Sequence, residues 1–265
     1  MRQAKQWTES KLLPRGWVDL FRQIAVFLVA FALYDLVRGL VSIGNPYKPF
    51  GDAMKIIDFE RALHVFVEPS IQGWAENSHA LMNVLAWSYL NTQLVITTAT
   101  IVFIYVRFNR SYYFVRNMFL IAIGLALVGY WVFPTAPPRL MPEWGFTDTV
   151  SQLMTGDRGS LDYTLAGSVA NMYAAVPSMH VCFAVMISWP MARLVSWRLV
   201  KVAWVLYPLL VTFVVVATAN HFLVDVVLGA LTAAIAAALA QRPLARARPE
   251  LWAFRSAAQL APVTA

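Results

Sequence analysis

His221 and Asp225 are four residues apart in the segment ANHFLVDVV, residues 219–227. In a helix, this i, i+4 spacing places two side chains on one face, within hydrogen-bonding reach. A carboxylate bonded to one imidazole nitrogen fixes the tautomer and leaves the other nitrogen to act as a nucleophile or a base. The spacing therefore indicates a catalytic pair, and a structural pair that holds a turn is an equal alternative.

A second imidazole, His180, follows Pro177 and Ser178 in the segment AAVPSMH, residues 174–180. In phosphoryl chemistry one histidine can attack phosphorus while another protonates the leaving alkoxide. A histidine at a helix start is more often a cap or a structural donor. Ser178 lies in no G-x-S-x-G elbow, so we expect its hydroxyl to cap the helix. The N-terminus of a helix also favours bound phosphate, so we expect Ser178 to belong to the substrate-binding residues.

Arg139 ends the Pro-rich segment PTAPPRL, residues 134–140. A guanidinium there can bind phosphate oxygens through two parallel hydrogen bonds, although an arginine that faces lipid headgroups is a serious alternative. A zinc site built from His180, His221 and Asp225 is conceivable. The neighbouring arginine and the absence of an H-E-x-x-H pattern favour chemistry without a metal, and we expect no cofactor.

The composition indicates that lipid surrounds the elements that carry these residues. Of 265 residues, 59% are hydrophobic and 13% are charged, whereas a soluble domain has about a quarter charged. The mean hydropathy is +0.58. The net charge of +7 is scattered over short loops, which favours a membrane topology over nucleic-acid binding. Cys182 is the only cysteine of the chain, so a disulfide scaffold is excluded.

Six stretches are apolar and long enough, or nearly so, for a bilayer span, which needs roughly 20 residues. They are 20–41, 85–106, 118–133, 181–195, 202–219 and 224–240. The sequence therefore predicts an all-α integral membrane protein with one six-helix catalytic domain over residues 17–241. We expect residues 1–16 to form a cytoplasmic N-terminal segment and residues 242–265 a cytoplasmic basic tail.

The segments between the spans alternate in net charge. Each segment on the side of the termini carries +3, and each of the two long segments on the other side, 42–84 and 134–180, carries −2. Positive loops mark the cytoplasmic side of a cell membrane. We therefore expect cytoplasmic termini and an extracytoplasmic location for the three segments that carry the candidate site.

Both long outer segments are predicted to contain more than a turn. The segment 134–180 is 47 residues long, and loops of that length usually carry function. Residues 52–67 form an amphipathic pattern that suits a helix lying along the membrane surface, or equally a helix packed on its own bundle. The apolar face of this pattern consists of Ile56, Phe59, Leu63, Phe66 and Val67, with Asp52, Lys55 and Asp58 elsewhere.

The order of these segments resembles the type 2 phosphatidic acid phosphatase superfamily of integral membrane enzymes. More narrowly, FPTAPPRL, AAVPSMH and NHFLVDVVLG resemble the branch that contains inositol phosphorylceramide synthases, and the resemblance covers roughly residues 20–240. It implies a six-helix bundle and a metal-independent reaction through a phosphohistidine. It also implies that His221 is the nucleophile, Asp225 its orienting partner and His180 the acid for the leaving group.

The chain departs from the phosphatase pattern at the phosphate-binding residues. Val132 stands where that pattern has Lys, Val214 and Val215 stand where it has Ser-Arg, and PSMH replaces PSGH. Either Arg139 would then carry more of the phosphate binding, or residues that the sequence does not identify would share it, and Arg158 of the long outer loop is a candidate second contributor. These departures favour the synthase-like branch.

Two functions from different classes follow. The first is an enzyme that cleaves a lipid phosphoester at the outer leaflet and passes the phosphoryl group or phospho-headgroup to water or to a hydroxyl acceptor, a polyol or a lipid. The second is a non-catalytic transporter or scaffold with a structural His–Asp pair. A transporter should carry ionisable groups or broken helices near the midplane, and spans two to six are nearly free of charge apart from Asp225. The enzyme is favoured.

Overall fold

The computed structural model describes residues 13–41, 47–155 and 173–241, and these residues form helices and connecting loops without a strand. An isolated bridge joins Thr135 and Ala174. Two 3-10 turns, Pro138–Leu140 and Pro142–Trp144, precede a short helix. The helices are α1 (Gly16–Val41), α2 (Lys48–Ala62), α3 (Glu68–Glu76), α4 (His79–Arg107), α5 (Asn109–Val132), α6 (Thr149–Thr155), α7 (Met179–Leu194), α8 (Arg198–Ala217) and α9 (Leu223–Leu239). The predicted all-α class is confirmed for these ranges.

Each of the six predicted spans lies largely within a helix, but the helices differ in length. Within the described ranges, four are long and apolar enough to cross a membrane, namely α4, α5, α8 and the Gly16–Leu36 part of α1. The apolar helices α7 and α9 have 16 and 17 residues, or about 24 and 26 Å at 1.5 Å per residue. The chain is therefore a membrane protein, and its six crossings remain a prediction.

The centre of the bundle is formed by α5 and α7. Phe114, Phe119 and Tyr130 of α5 are at most 2% exposed, and Cys182 and Ile187 of α7 are fully buried. On α1, α4 and α8, by contrast, many large apolar side chains face outward. An exposed apolar surface of this extent is unfavourable in water. Apolar side chains that surround a packed centre are typical of helices that lie in lipid.

The amphipathic helix predicted within 52–67 is present as α2, which ends at Ala62. The predicted apolar face is divided, because Ile56 is buried whereas Phe59 and Leu63 are both 55% exposed. The buried side of α2 also includes Glu60, which is fully buried. The helix therefore packs on the protein through a face rotated from the predicted one, and its location along a membrane surface remains a prediction.

A second apolar cluster lies outside the main core and joins α2 to the segments that carry the candidate site. It contains residues of α2, of the Pro-rich segment and of the loop between α8 and α9. Its buried members are Ala53, Ile56, Ile57, Ala136, Met141, Phe146, Val176, Ala219 and Phe222. This cluster, called the outer layer below, holds the ends of these loops in fixed positions relative to one another.

Candidate active site

Backbone hydrogen bonds hold the three candidate segments together. Each joins a residue of one segment to a residue of another, so the segments meet at one end of the bundle. The bonds are Ala175 N to Thr135 O (3.4 Å), Arg139 N to Ala219 O (2.8 Å) and Ser178 N to Asp225 O (3.0 Å). The convergence expected from hydropathy and loop charge is therefore present in the structure.

His221 and Asp225 are in contact, but they do not share a helical face. The Nδ1 atom of His221 lies 3.3 Å from Oδ2 of Asp225. His221 lies in the loop before α9, whereas Asp225 is in the first turn of α9, where its Oδ2 also accepts a 3.0 Å hydrogen bond from the backbone N–H of Phe222. A carboxylate that caps its own helix turns back toward the preceding loop. Helix capping, and not the i, i+4 face, produces this contact.

The loop that carries His221 is tightly constrained. Thr218 bonds to the carbonyl of Val214 through both its N–H and its hydroxyl, and Asn220 N donates to Val215 O. Ala219 has a φ of +51°, a left-handed conformation that costs roughly 1–2 kcal/mol for a residue with a side chain. The hydrogen bond from Arg139 N to Ala219 O keeps this residue in place, so the position of His221 is fixed by the surrounding segments.

His180 lies at the start of α7 and faces His221. The two ring centroids are 5.9 Å apart, with the ring planes inclined at 58°. On its other side, His180 stacks on Tyr89 of α4, at a centroid separation of 4.4 Å. The side chain of Gln93 donates to the backbone carbonyls of Met179 and His180. The first turn of α7 is thereby attached to α4, which orients the second imidazole toward the first.

The environment of His221 keeps its imidazole neutral. Burial lowers the pKa of His221 to about 3; a hydrogen bond with the Ala175 carbonyl opposes this shift, and the nearby charge of Arg139 adds to it. An unprotonated ring nitrogen is the form that can attack an electrophile. The His221 ring is therefore held in the protonation state that nucleophilic attack requires.

Arg139 lies near His221, and one N–H donor of its guanidinium has no hydrogen-bond partner among the described residues. Its Nη1 is 3.9 Å from Oδ1 of Asp148, and the side chain is 14% exposed. Its buried Nε has no hydrogen-bond partner among the described residues. A guanidinium with an unused Nε–H donor next to a neutral imidazole is suited to an anionic group such as phosphate.

The family comparison agrees with this geometry. A family model described as the PAP2 superfamily matches residues 54–239, which include all three segments. The chain belongs to the PAP2 superfamily. Comparisons with curated proteins and with solved structures give no match. Membership in the PAP2 superfamily supports a phosphatase or phosphotransferase activity in general, acting on a lipid phosphoester.

The remaining candidate residues of this PAP2 superfamily chain are placed differently. Ser178 is fully buried, and its Oγ accepts from the N–H of Val181, 3.5 Å away, as the N-cap of α7. Ser178 therefore caps the helix that carries His180. Arg158 lies outside the described residues. Over the described part of the chain, no three His, Cys, Asp or Glu side chains are grouped so as to hold a metal ion.

Two buried acids that the sequence reasoning missed support the site from the outer layer. Oε1 of Glu60 accepts from Val224 N and Oε1 of Glu68 accepts from Leu223 N, each at 2.8 Å, and both side chains are fully buried. Burial, followed by a hydrogen bond with Glu68, raises the pKa of Glu60 to about 9. The spacing of residues 53, 56, 57 and 60 is a helical face, and it could have placed Glu60 on the buried side of α2.

Two glycines allow the segment before His180 to pass close to its neighbours. A Cβ at Gly229 of α9 would lie 2.3 Å from the carbonyl oxygen of Ser178, and a Cβ at Gly129 of α5 would lie 2.9 Å from Cδ of Pro177. No side chain fits at the first distance without a backbone shift. The separation of α9 from the start of α7, and hence of the two histidines, depends on Gly229.

Proposed function

We propose that this chain is a membrane enzyme that cleaves a lipid phosphoester through a phosphohistidine at His221 and transfers the phosphorus group to a hydroxyl acceptor or to water. The observation that carries the proposal is the pair of imidazoles 5.9 Å apart, with a buried carboxylate behind one ring. A structural His–Asp pair alone would not need a second imidazole, nor an arginine with an unused Nε–H donor beside it. Each of these groups has a role in phosphoryl transfer.

In the first step, an unprotonated nitrogen of His221 attacks phosphorus and a P–N bond forms. The P–O bond to the leaving alcohol breaks, and His180, as an imidazolium, gives that oxygen its proton. Asp225, whose Oδ2 lies 3.3 Å from Nδ1 of His221, stabilises the positive charge that develops on the ring. Arg139 stabilises the negative charge on the phosphoryl oxygens.

In the second step, the neutral His180 removes a proton from the acceptor hydroxyl, and the acceptor oxygen attacks phosphorus. The P–N bond breaks, and His221 returns to its neutral form. Before His221 attacks in the first step, its ring nitrogen that is bonded to the Ala175 carbonyl has to release that bond, and the ring proton then lies on Nδ1, which faces Asp225. Because one histidine acts as acid and then as base, the cycle closes without a metal ion or a cofactor.

The replacement of cationic residues of the phosphatase pattern by Val132 and Val215 supports a place for this chain in the synthase-like branch. Water and a polyol or lipid hydroxyl attack the same phosphohistidine, so the acceptor is identified by the product of the reaction. The alternating loop charge supports cytoplasmic termini, with the catalytic domain over residues 17–241 and its reaction at the outer face of the cell membrane.

The proposal is tested by incubating purified protein with a panel of labelled phospholipids, with and without alcohol acceptors. We expect turnover of at least one lipid phosphoester, an acid-labile phosphoenzyme, and the same rate in the presence of a chelator. Transfer is distinguished from hydrolysis by the label in the product. No phosphoenzyme with any lipid would contradict the phosphohistidine, and activity lost in chelator and restored by zinc would contradict the metal-free mechanism.

A further inference from the structure

A large cavity lies between α1 and α4, next to the candidate site. Its volume is about 590 Å³, and α5 and α7 form its floor. At one end it is bounded by Tyr89 and His180, the stacked pair of the site. Most of the wall is apolar and includes Ile24, Phe27, Phe31, Leu94, Ile101 and Phe183. The cavity is therefore an apolar space that begins at one of the two imidazoles.

The cavity is part of the bundle, because α1 is hydrogen-bonded to neighbouring helices near both ends of the cavity. Away from the site, Asp19 of α1 accepts hydrogen bonds from the hydroxyls of Tyr105 and Tyr113, at 3.0 and 2.8 Å. Nearer the site, the hydroxyls of Tyr34 and Tyr130 are 3.3 Å apart. Between these contacts α1 does not close on α4. Protein interiors seldom leave voids larger than a water molecule, so a gap of this size within a bilayer is expected to hold hydrocarbon.

The length of the cavity exceeds one leaflet. Along α4 its lining extends from Tyr89 to Val106, and these 17 steps correspond to about 26 Å at 1.5 Å per residue. The hydrocarbon core of a bilayer is about 30 Å thick, so half of it is about 15 Å. A chain that enters beside His180 and fills the cavity therefore passes the membrane midplane.

The volume of the cavity matches one chain of that length. At about 30 Å³ for each group the size of a water molecule or a methylene, 590 Å³ holds roughly 20 such groups. Roughly 20 methylenes in an extended chain advance about 25 Å, since each C–C bond of about 1.5 Å is inclined to the chain axis. Length and volume thus agree for one tail.

We infer that this cavity binds one long hydrocarbon tail of the lipid substrate, of about 20 carbons, with the phosphoester of the same molecule between His180 and His221. The inference rests on the proposed function and adds the substrate class, a lipid phosphoester with at least one tail that crosses the midplane. Any second tail lies outside the cavity. His180 is both wall and catalytic group, so filling the cavity places the phosphoester against the two imidazoles.

The test blocks the cavity at half its depth. Thr98 and the next residue, Ala99, are both exposed, but Thr98 lines the cavity and Ala99 lies outside the lining. Thr98→Trp adds an indole to the wall of the cavity, and Ala99→Trp adds the same bulk outside the lining at the same depth of α4. Neither residue contacts the histidines, and the second variant controls for effects of tryptophan on folding and insertion.

Two measurements distinguish failure of this inference from failure of the proposed function. In the first, kcat/KM is measured with a short, soluble phosphoester and with long-tailed lipids. We expect Thr98→Trp to lose about tenfold or more with the long tails only, because a displacement of about 1 Å can cost about 10²-fold. Equal losses with both substrates, or equal losses in Ala99→Trp, overturn the inference.

The second measurement needs no turnover. A single-tailed lipid phosphate with a photoreactive group near the end of a tail of about 20 carbons is cross-linked to the full chain in lipid vesicles. We expect adducts on Ile101, Val102 and Ile24, which line the cavity, and their loss in Thr98→Trp but not in Ala99→Trp. Adducts confined to the outer faces of α4 and α8, or unchanged in Thr98→Trp, overturn the inference whether or not the protein is catalytically active.

Discussion

The backbone N–H of Val224 donates a 2.8 Å hydrogen bond to Oε1 of Glu60, which is 164 positions earlier in the chain. Leu223 donates to Glu68 in the same way. The first N–H groups of a helix have no partners within it and carry a partial positive charge, and here two buried carboxyl groups from α2 and α3 supply the partners. Because Asp225 lies in the same first turn, these bonds set its position relative to the outer layer.

The first prediction concerns the proton held by Glu60. Its pKa of about 9 means that the side chain is neutral at pH 7 and can donate to Glu68 while accepting from Val224. Glutamine has the same shape, one acceptor and one donor group. Glu60→Gln should therefore keep activity within about twofold, whereas Glu60→Ala leaves buried groups unpaired at a cost of about 1–3 kcal/mol. Initial rates and thermal inactivation midpoints of the purified variants measure both effects.

The same pair of variants gives a pH dependence. Folded Glu60 keeps its proton up to about pH 9, whereas a glutamate with the ordinary pKa of 4.5 releases it in the unfolded chain. Between these values the folded state binds more protons, so the free energy of unfolding falls as pH rises. Glu60→Gln removes this dependence, and its inactivation midpoint should rise relative to the parent from about pH 5 to about pH 9. A constant difference across this window would contradict the neutral Glu60.

The second prediction concerns the close approach at Gly229. Gly229→Ala places a Cβ 2.3 Å from the carbonyl oxygen of Ser178, so α9 and the start of α7 must move apart. Such overpacking costs about 1–3 kcal/mol, and it also separates His221 from His180. Activity should therefore fall further than the loss of folded protein explains. Size-exclusion profiles and rates per folded molecule separate the two effects.

The matched control is Gly124→Ala in α5, where an added Cβ meets nothing within 4 Å. Alanine is favoured over glycine in a helix by about 1 kcal/mol, so this variant should be as stable as the parent or more stable. If both alanine variants behave alike, the close packing at Ser178 does not position the site.

The third prediction concerns the side of the membrane on which the site lies. Glu143 is exposed, and Cys182 is fully buried, so Cys182→Ala provides a background for a single reactive thiol at Glu143→Cys. The alternating loop charge predicts that an impermeant maleimide labels this thiol in intact cells. Labelling that requires lysis would reverse the topology and place the reaction at the cytoplasmic leaflet.

How much of this protein could be predicted depends on the distance over which each interaction acts. The helices follow from apolar runs, which are local, and the convergence of the three segments follows from counting crossings. The contact of His221 with Asp225 was predicted from its spacing, although the loop and the helix cap produce it. The bond between Glu60 and Val224 joins residues 164 apart, and no pattern in one sequence identifies such a partner. The same holds for the cavity between α1 and α4, because its two ends are set by contacts between distant residues, Asp19 with Tyr105 and Tyr34 with Tyr130.

The last prediction separates the roles of the two histidines. If His221 attacks phosphorus, His221→Ala should abolish phosphoenzyme formation, because no other group takes its place. His180→Ala should mainly slow departure of the first alcohol, and a positioned acid is typically worth about 10²–10⁴-fold. A nitrophenyl phosphoester has a good leaving group that needs little protonation. It should therefore partly restore the rate of His180→Ala and leave His221→Ala inactive.

Asp225→Asn extends the same test, because an amide does not stabilise an imidazolium and can select the wrong tautomer. This variant should be severely slowed, and the nitrophenyl substrate should not restore it. A purely structural His–Asp pair predicts instead that every variant loses activity only as far as it loses folded protein. Folded His221→Ala with near-normal turnover would end the phosphohistidine mechanism. Restoration of His221→Ala, and not of His180→Ala, by the better leaving group would show that the two histidines have the opposite roles.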